Sequence, residues 1–182
     1  MRIISGKFKG RKFDPPEGLG VRPTTDRARE ALFNILIHRY DLENRSLLDL
    51  FAGSGGVSFE FLSRGGRRVI CIDKNRRCIQ YIEHTLKEWK IENFQTHVID
   101  AKTYLEQFTE TVDFVFLDPP YMLAEKIKLI EILLEKNILE KEGCVILEHP
   151  ATENFEKNPF FKETRVYGAS AFSFFSYANE KA

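Results

Sequence analysis

The sequence predicts an α/β fold built on a mostly parallel β-sheet that ends in an antiparallel hairpin. Two observations lead to this prediction. From residue 46 onward, apolar segments of strand length alternate with segments of helix length, and no helix separates the last two aromatic-rich runs. Nearly continuous apolar strands, in place of strictly alternating ones, are typical of a parallel sheet covered by helices on both faces.

The elements follow in a regular order, and together they predict seven strands with right-handed crossovers. The five strands of the alternating region are Leu47–Phe51, Val69–Ile72, Thr96–Ile99, Val112–Leu117 and Cys144–Leu147. The helices between them are Val57–Arg64, Arg76–Trp89, Lys102–Phe108 and Ala124–Asn137. The closing hairpin consists of Phe160–Val166 and Ala171–Tyr177, and we expect its phenylalanines to belong to the core.

The N-terminal segment differs from this pattern. Five of the first 12 residues are basic and none is acidic: Arg2, Lys7, Lys9, Arg11 and Lys12. Gly6 and Gly10 favour a short hairpin or arm, and a Pro- and Gly-rich loop follows. A helix is then predicted from Pro23–Asp26, with Ala28, Leu32, Ile35 and Leu36 on one face. We therefore predict a basic N-terminal hairpin over residues 1–22 and a main domain over residues 23–182.

Composition narrows the class of protein. A chain of 182 residues fits one domain with a small appendage. Its three cysteines, Cys71, Cys78 and Cys144, lack CxxC spacing, so we expect buried thiols, with no disulfide framework and no metal site. No apolar run approaches the roughly 18 residues of a membrane span, and the N-terminus does not resemble a signal peptide. We therefore expect a cytoplasmic protein that does not enter a membrane.

Charge is distributed unevenly although the net charge is zero. Residues 1–77 carry 16 Lys and Arg against 9 Asp and Glu, whereas residues 78–182 carry 11 against 18. This asymmetry indicates that one end of the molecule faces a polyanion. The same charges would also serve simply to solvate two surfaces, and the distribution alone does not separate these interpretations.

Three successive strand ends predict a nucleoside site. The first strand runs into a glycine-rich turn, Asp49-Leu50-Phe51-Ala52-Gly53-Ser54-Gly55, and such a turn lets a ligand approach the backbone. The second strand ends at Asp73-Lys74, where a carboxylate can bind ribose hydroxyls, and the third ends at Asp100-Ala101, where it can accept from an adenine amino group. Taken singly, the turn would be an ordinary βα connection and each Asp a helix cap. Together they trace a ligand site along the carboxyl edge of the sheet.

The fourth strand is followed by Asp118-Pro119-Pro120-Tyr121, the sequence with the most specific chemistry. The two prolines fix φ and remove two backbone donors, which leaves a stiff turn with outward carbonyls. Asp118 and the carbonyl of Pro119 can accept both N–H groups of an exocyclic base amine, while Tyr121 stacks on the base. Two acceptors expose the nitrogen lone pair to an electrophilic methyl group, so catalysis would rest on positioning and electrostatics. A structural Pro-Pro turn is the alternative.

These motifs resemble those of class I S-adenosylmethionine-dependent methyltransferases, and specifically their amino-methylating members. A motif in the N-terminal part of the chain makes the resemblance more specific. The stretch Arg22–Leu36, which reads RPTTDRAREALFNIL, is similar to the signature of the bacterial 16S ribosomal RNA guanine-N2 methyltransferases, the RsmD family. Ile4-Ser5-Gly6, Lys9-Gly10-Arg11, Tyr167-Gly168 and Ser173-Phe174-Phe175 also fit that family. The resemblance spans nearly the whole chain and implies a Rossmann-like class I methyltransferase fold.

The resemblance also implies roles for individual residues. Those expected around S-adenosylmethionine are Asp49, Phe51, Ala52, Gly53, Ser54, Gly55, Asp73, Lys74, Asp100, Ala101 and Asp118. Those expected to hold the target guanine are Asp118, Pro119, Pro120 and Tyr121. Those expected at the RNA are Lys7, Lys9, Arg11, Lys12, Arg22, Thr24, Thr25 and Arg27. The implied partner is 16S ribosomal RNA in an assembling small subunit, bound by a monomer. Asp73 stands where many members have Glu, and Tyr121 where some have Phe.

Three other functions are compatible with parts of the pattern. An adenine-N6 methyltransferase would use the same Asp-Pro-Pro-Tyr turn, and only the family resemblance favours guanine N2. An NAD-dependent oxidoreductase would use the glycine turn, but Ser58 occupies the third glycine position and the Pro-Pro turn has no role there. A non-catalytic RNA-binding assembly factor would use the basic hairpin alone, which leaves the complete set of site motifs unexplained.

Overall fold

The computed structural model describes residues 1–16, 18, 24–120 and 122–177. It contains one seven-stranded sheet in the order β3-β2-β1-β4-β5-β7-β6. The strands are β1 (Ser46–Asp49), β2 (Arg68–Asp73), β3 (Phe94–Val98), β4 (Val112–Leu117), β5 (Leu139–Pro150), β6 (Phe161–Tyr167) and β7 (Ser170–Phe175). The helices are α1 (Asp26–Arg39), α2 (Gly56–Ser63), α3 (Arg76–Glu88), α4 (Ala101–Gln107) and α5 (Leu123–Glu135).

The pairing of the strands confirms the predicted α/β fold. The first five strands are parallel, and β7 runs antiparallel to both β5 and β6. The sheet grows outward from β1 in two directions, to β2 and β3 on one side and to β4 and β5 on the other. The chain therefore reverses its direction of growth between β1 and β4, and open α/β sheets bind ligands at the carboxyl edge beside such a point.

Two apolar layers cover the sheet. One contains Leu47, Cys71 and Phe114 with residues of α1, α2 and α3, and the other contains Leu48, Val115 and Leu147 with residues of α4 and α5. Adjacent residues of a strand thus face opposite layers, as the two-residue period of a strand requires. All three cysteines are buried and free, as predicted. The hairpin phenylalanines also lie in or against these cores.

The N-terminal hairpin packs along α2. Arg2 and Lys12 form an antiparallel bridge, and Ile3 and Phe13 are buried in the same core as α1 and α2. A side chain at Gly6 would place its Cβ 1.8 Å from the carbonyl oxygen of Ser63, so only glycine allows the backbone to approach this closely. The division at residue 22 remains a prediction, because the loop around that residue falls outside the described part of the chain.

The largest difference from the predicted elements concerns β5. We expected Cys144–Leu147, but the strand extends from Leu139 to Pro150. Leu139 pairs with Val112 before a register shift, and Pro150 pairs with Ser170. The polar residues at both ends are held by backbone pairing, which an apolar pattern does not reveal. The other boundaries differ by one or two residues, such as β3 at Phe94–Val98 where Thr96–Ile99 was predicted.

Two findings concern the described residues as a set. None of their helices is long and apolar enough to cross a membrane. Within the same ranges, no group of three or more His, Cys, Asp or Glu side chains is arranged to hold a metal ion.

Candidate active site

A cavity of about 850 Å³ lies at the carboxyl edge of the sheet, beside the point where the strand order reverses. Ligand pockets in proteins are typically about 300–1,000 Å³, so this volume suits a cofactor together with a substrate base. The strand-end acids Asp49, Asp73, Asp100 and Asp118 all line it. The structure therefore brings the predicted nucleoside site and the Asp-Pro-Pro turn into one continuous space.

Asp73 organises the glycine turn. Its carboxylate accepts hydrogen bonds from the backbone N–H of Gly53 at 2.9 Å and of Asn75 at 2.8 Å. The cap of α3 is Asn75, whose side chain accepts from Arg77, so Asp73 is not the helix cap considered above. Lys74 is exposed and also lines the cavity. Asp73 thus fixes the turn and borders the ligand space at the same time.

Asp100 does have the capping role that was one of its two interpretations. Its Oδ1 accepts from the backbone N–H of Lys102 at 2.9 Å and of Thr103 at 3.4 Å, which begins α4. Asp100 and Ala101 nevertheless line the cavity. Because a carboxylate can accept about four hydrogen bonds, capping is compatible with a contact to an adenine amino group.

The glycines of this turn do not all line the cavity, although that had been predicted. Gly55 has φ +77°, and a Cβ there would lie 2.8 Å from Phe59 and 2.9 Å from Ile82, so this glycine faces the core. It is absent from the described residues of the cavity wall, which include Gly56 instead, together with the predicted Phe51, Ala52, Gly53 and Ser54. Gly55 is the N-cap of α2 and offers no side-chain cap, so the first N–H groups of that helix suit an anion in the cavity.

Asp49 is an acid of the site whose pKa is strongly raised. It is fully buried, and its Oδ2 accepts a hydrogen bond of 2.7 Å from the hydroxyl of Ser58. Burial is the main cause that raises the pKa of Asp49 to about 7, and the negative charges of Asp73 and Asp118 add to it. Hydrogen bonds from Ser58 and from the backbone of Phe51 oppose this increase. This arrangement favours a cationic or N–H-bearing group beside Asp49.

The Asp-Pro-Pro turn forms the adjoining wall. Asp118 directly follows β4 and is half-buried, Pro119 is buried and Pro120 is exposed, and all three line the cavity. Tyr121, the fourth predicted residue of this turn, lies outside the described residues. The carboxylate of Asp118 is close enough to Asp49 to affect its pKa, so the predicted substrate side directly adjoins the predicted cofactor side.

The remaining wall consists of residues that the motifs did not predict. Glu148 and His149, at the end of β5, line the cavity with Lys126 and Glu153. The Lys126 ammonium group donates to both oxygens of Glu153, at 2.9 and 2.8 Å, and its side chain is 5% exposed. Burial lowers the pKa of His149, whose Nε2 lies 2.7 Å from the hydroxyl oxygen of Ser173. A signal for Glu148 was available, since it is an acid that directly follows an apolar strand, as are Asp73, Asp100 and Asp118.

The residues expected at the RNA entrance are only partly brought to the cavity. Thr24 and Thr25 line it, and the hydroxyl of Thr24 donates to Oε2 of Glu148 at 2.8 Å. Thr25 caps α1 by accepting from the N–H of Ala28. Arg27 is exposed on α1 and does not belong to the described wall of the cavity. Arg22 lies outside the described residues.

The basic hairpin residues form a separate surface. Lys7, Lys9, Arg11 and Lys12 are exposed. The backbone N–H of Lys7 donates to the carbonyl of Ser63, at the end of α2 opposite the cavity. Since α2 rises about 1.5 Å per residue from Gly56, this end lies about 10 Å from the cavity along the helix axis. The guanidinium carbon of Arg11 lies 4.9 Å from the centre of the Trp89 ring, which orients that charge.

The family model named "Conserved hypothetical protein 95" matches residues 1–176. The chain belongs to this family. It is 38% identical over 151 residues to "Ribosomal RNA small subunit methyltransferase D" of Escherichia coli K12, a match that covers 81% of this chain and 74% of that protein. It is also 37% identical over 153 residues to "Putative rRNA methyltransferase YlbH" of Bacillus subtilis, with 82% of each chain covered. The resemblance to the RsmD family is thereby confirmed.

A solved structure of a similar chain shares the fold over nearly the whole length of this chain. "Putative methyltransferase yhhF from Escherichia coli" superimposes with a TM-score of 0.85 at 29% sequence identity, covering 96% of each chain. The Rossmann-like fold of class I methyltransferases, expected from the motifs, is confirmed for this chain.

Proposed function

We propose that this protein transfers a methyl group from S-adenosylmethionine to the N2 amino group of a guanine in 16S ribosomal RNA. The observation that carries the proposal is the single cavity shared by Asp49, Asp73 and Asp100 on one side and Asp118 and Pro119 on the other. One side has the groups that a charged nucleoside cofactor requires, and the other has the acceptors that a base amine requires. The names of the relatives supply the class of RNA.

The residues of the cavity fit S-adenosylmethionine. The buried carboxylate of Asp49 lines the cavity, and its two oxygens can accept from the ammonium group of the cofactor in addition to Ser58. The uncapped N-terminus of α2 suits its carboxylate. Asp73 and Asp100 lie at successive strand ends where ribose hydroxyls and an adenine amino group can donate to them. When bound, this cofactor supplies the electrophilic methyl group of the reaction.

The groups proposed to hold the target amine, one side chain and one backbone carbonyl, act through their positions and their charges. Asp118 and the Pro119 carbonyl accept the two N–H bonds of the base amine and hold the nitrogen with its lone pair directed at the methyl donor. Their negative and partially negative oxygens stabilise the positive charge that develops on nitrogen. The rigidity of the two prolines fixes these acceptors before the substrate binds, so little reorganisation is needed during transfer.

Transfer from labelled cofactor tests the proposal directly. The protein is incubated with S-adenosylmethionine and either under-methylated small subunits or naked 16S RNA, and the product nucleoside is mapped by mass spectrometry. The expected product is N2-methylguanosine at one position. N6-methyladenosine would assign the protein to the adenine class, and binding of RNA without transfer would identify an assembly factor. Isothermal titration with S-adenosylmethionine and with NAD separates the oxidoreductase alternative.

A further inference from the structure

We infer that Glu148 is the residue that distinguishes guanine from other purines, by accepting a hydrogen bond from guanine N1–H. The inference rests on the proposed function, because it takes a guanine amine held by Asp118 as its starting point. Glu148 follows the apolar core of β5 in the way that Asp118 follows β4, and both line the cavity. None of the sequence motifs includes it.

The register of the sheet places the two acids side by side. Leu117 of β4 pairs in parallel with Leu147 of β5, so the next residues of the two strands, Asp118 and Glu148, are neighbours at the carboxyl edge. Adjacent strands are about 4.8 Å apart. Leu147 faces the apolar layer of α4 and α5, so strand alternation directs Glu148 to the opposite side; Asp118, which directly follows β4, lines the same cavity.

A hydrogen bond from Thr24, a residue of the Arg22–Leu36 stretch, holds Glu148 in the cavity wall. The Thr24 hydroxyl donates to Oε2 of Glu148 at 2.8 Å, although the two residues are 124 positions apart in the sequence. Thr24 itself lines the cavity. Because a carboxylate offers about four acceptor positions, a hydrogen bond from Thr24 is compatible with a second one from a substrate. The contact therefore orients a substrate-facing group.

The chemistry of the purine edge gives this carboxylate its selectivity. Guanine presents the N2 amino group and N1–H as neighbouring donors, so a base whose amine is held by Asp118 directs N1–H towards an adjacent acceptor. Adenine and 2-aminopurine carry an unprotonated N1, whose lone pair is repelled by a carboxylate. A buried polar group left without its partner rejects such an analogue strongly, and the repulsion between the lone pair and the carboxylate adds to this rejection.

A base analogue isolates this contact from the rest of the site. 2-Aminopurine retains the 2-amino group but lacks both N1–H and the O6 carbonyl. Small-subunit substrate is prepared with guanine or 2-aminopurine at the methylated position, and single-turnover rates are measured by mass spectrometry. Wild-type protein should methylate guanine faster. Glu148→Gln should slow guanine methylation by up to about 10-fold, because the amide oxygen can still accept from N1–H but the hydrogen bond is no longer strengthened by a negative charge.

The ratio of the two rates is the decisive quantity. A glutamine amide can donate to the unprotonated N1 of 2-aminopurine, so Glu148→Gln should raise the rate on 2-aminopurine relative to guanine. Glu92→Gln makes the same change of side chain and charge at an exposed position that is not part of the described cavity wall, so it is the matched control and should leave both rates at their wild-type values. Melting temperature and S-adenosylmethionine affinity report whether each variant is folded.

The outcomes separate the two proposals. If Glu148→Gln leaves the rate ratio unchanged, or 2-aminopurine stays unmethylated by both proteins, Glu148 only supports the Thr24 segment and the inference fails. In that case N2-methylguanosine formation by the wild-type protein still supports the proposed function. If the wild-type product is instead N6-methyladenosine, the proposed function fails whatever Glu148 does.

Discussion

At Asp49 the requirements of folding and of cofactor binding oppose each other. Burial raises the pKa of this carboxyl to about 7, above its ordinary value of 3.8, because the folded protein favours its neutral form. The stability that this preference provides is present below the ordinary value and is lost as the pH rises through about 7. A cationic ligand favours the ionised form instead. Asp49 therefore weakens the ligand-free fold at alkaline pH in return for an acceptor in the cavity.

Replacing Asp49 by Asn should separate these two effects. An amide oxygen can still accept from Ser58, but the side chain no longer ionises, so the ligand-free variant should melt above wild type at pH 8 and approach it at pH 5. The affinity of the variant for S-adenosylmethionine should fall and lose its dependence on pH. In wild type, affinity should decrease below pH 7, by up to about tenfold per unit.

Calorimetric titration and thermal melts over pH 5–9 measure both effects of Asp49→Asn. The exposed Asp41 provides the matched control, because Asp41→Asn changes the charge equally outside the cavity. If the Asp49 variant binds the cofactor as wild type does at every pH, Asp49 has no part in binding.

Replacing Asp118 should impair methyl transfer without weakening the binding of the cofactor. Asp118→Ala removes one of the two acceptors for the base amine, and transfer should fall by about 100-fold or more, as when one preorganised electrostatic partner is removed. S-adenosylmethionine affinity should be retained, since Asp73, Asp100 and the α2 N-terminus remain. Single-turnover transfer and isothermal titration measure the two quantities. A parallel decrease in cofactor affinity would contradict this division and place Asp118 mainly on the cofactor.

At the level of elements, α2 connects the cavity to the basic hairpin. It begins at the cavity with Gly56, and its fully buried Glu60 accepts from the backbone N–H of Ile4 at 2.9 Å and of Ser5 at 3.0 Å. Glu60 also pairs with Arg64 and lies 3.6 Å from the buried guanidinium of Arg29. One carboxylate thus joins α1, α2 and the hairpin. The hairpin has a fixed position relative to the cavity because of this buried network.

Neutralising Glu60 should release the hairpin. Glu60→Gln replaces one acceptor oxygen by an NH2 group that cannot accept from Ile4 or Ser5, whereas Arg29 keeps its ion pair with Asp26, so the expected loss of stability is about 1–3 kcal/mol. Urea unfolding measures this decrease, and hydrogen exchange at residues 3–8 should rise first. Glu88→Gln, at an exposed position of α3, is the control. A Glu60 variant with wild-type stability and unchanged exchange would show that apolar packing alone holds the hairpin.

At the level of the whole molecule, the sequence was most informative where chemistry and local pattern coincide. Asp73, Asp100 and Asp118 were predicted to be site residues because each follows an apolar run of strand length. The seven strands were predicted from such apolar runs as well. Interactions between distant segments were not accessible in this way. The hydrogen bond between Thr24 and Glu148, the role of Glu60 and the polar ends of β5 depend on three-dimensional packing. Gly55 was assigned to the ligand because a glycine required by packing and one required by a ligand have the same local signature.

The distribution of charge is also a property of the whole molecule, and it predicts how RNA binds. The exposed Lys7, Lys9, Arg11 and Lys12 lie on a hairpin that Glu60 fixes beside α2, and the backbone of Lys7 meets this helix about 10 Å from its cavity end. RNA whose target base enters the cavity can therefore place neighbouring phosphates on this surface. Each phosphate bound by a basic side chain releases counterions, which makes affinity depend on salt.

Replacing these four hairpin residues with Gln should weaken RNA binding and flatten its salt dependence, by about one unit of log–log slope for each phosphate that is no longer bound. The matched control replaces four lysines that are exposed elsewhere with Gln: Lys128, Lys141, Lys157 and Lys162. These replacements lower the net charge by the same amount. Fluorescence anisotropy with 16S RNA fragments at several salt concentrations gives both slopes. The slope should become shallower for the hairpin variant and stay at the wild-type value for the control, because counterion release requires charges at the phosphates. Equal slopes for the two variants would mean that RNA responds to net charge and that the hairpin is not its binding surface.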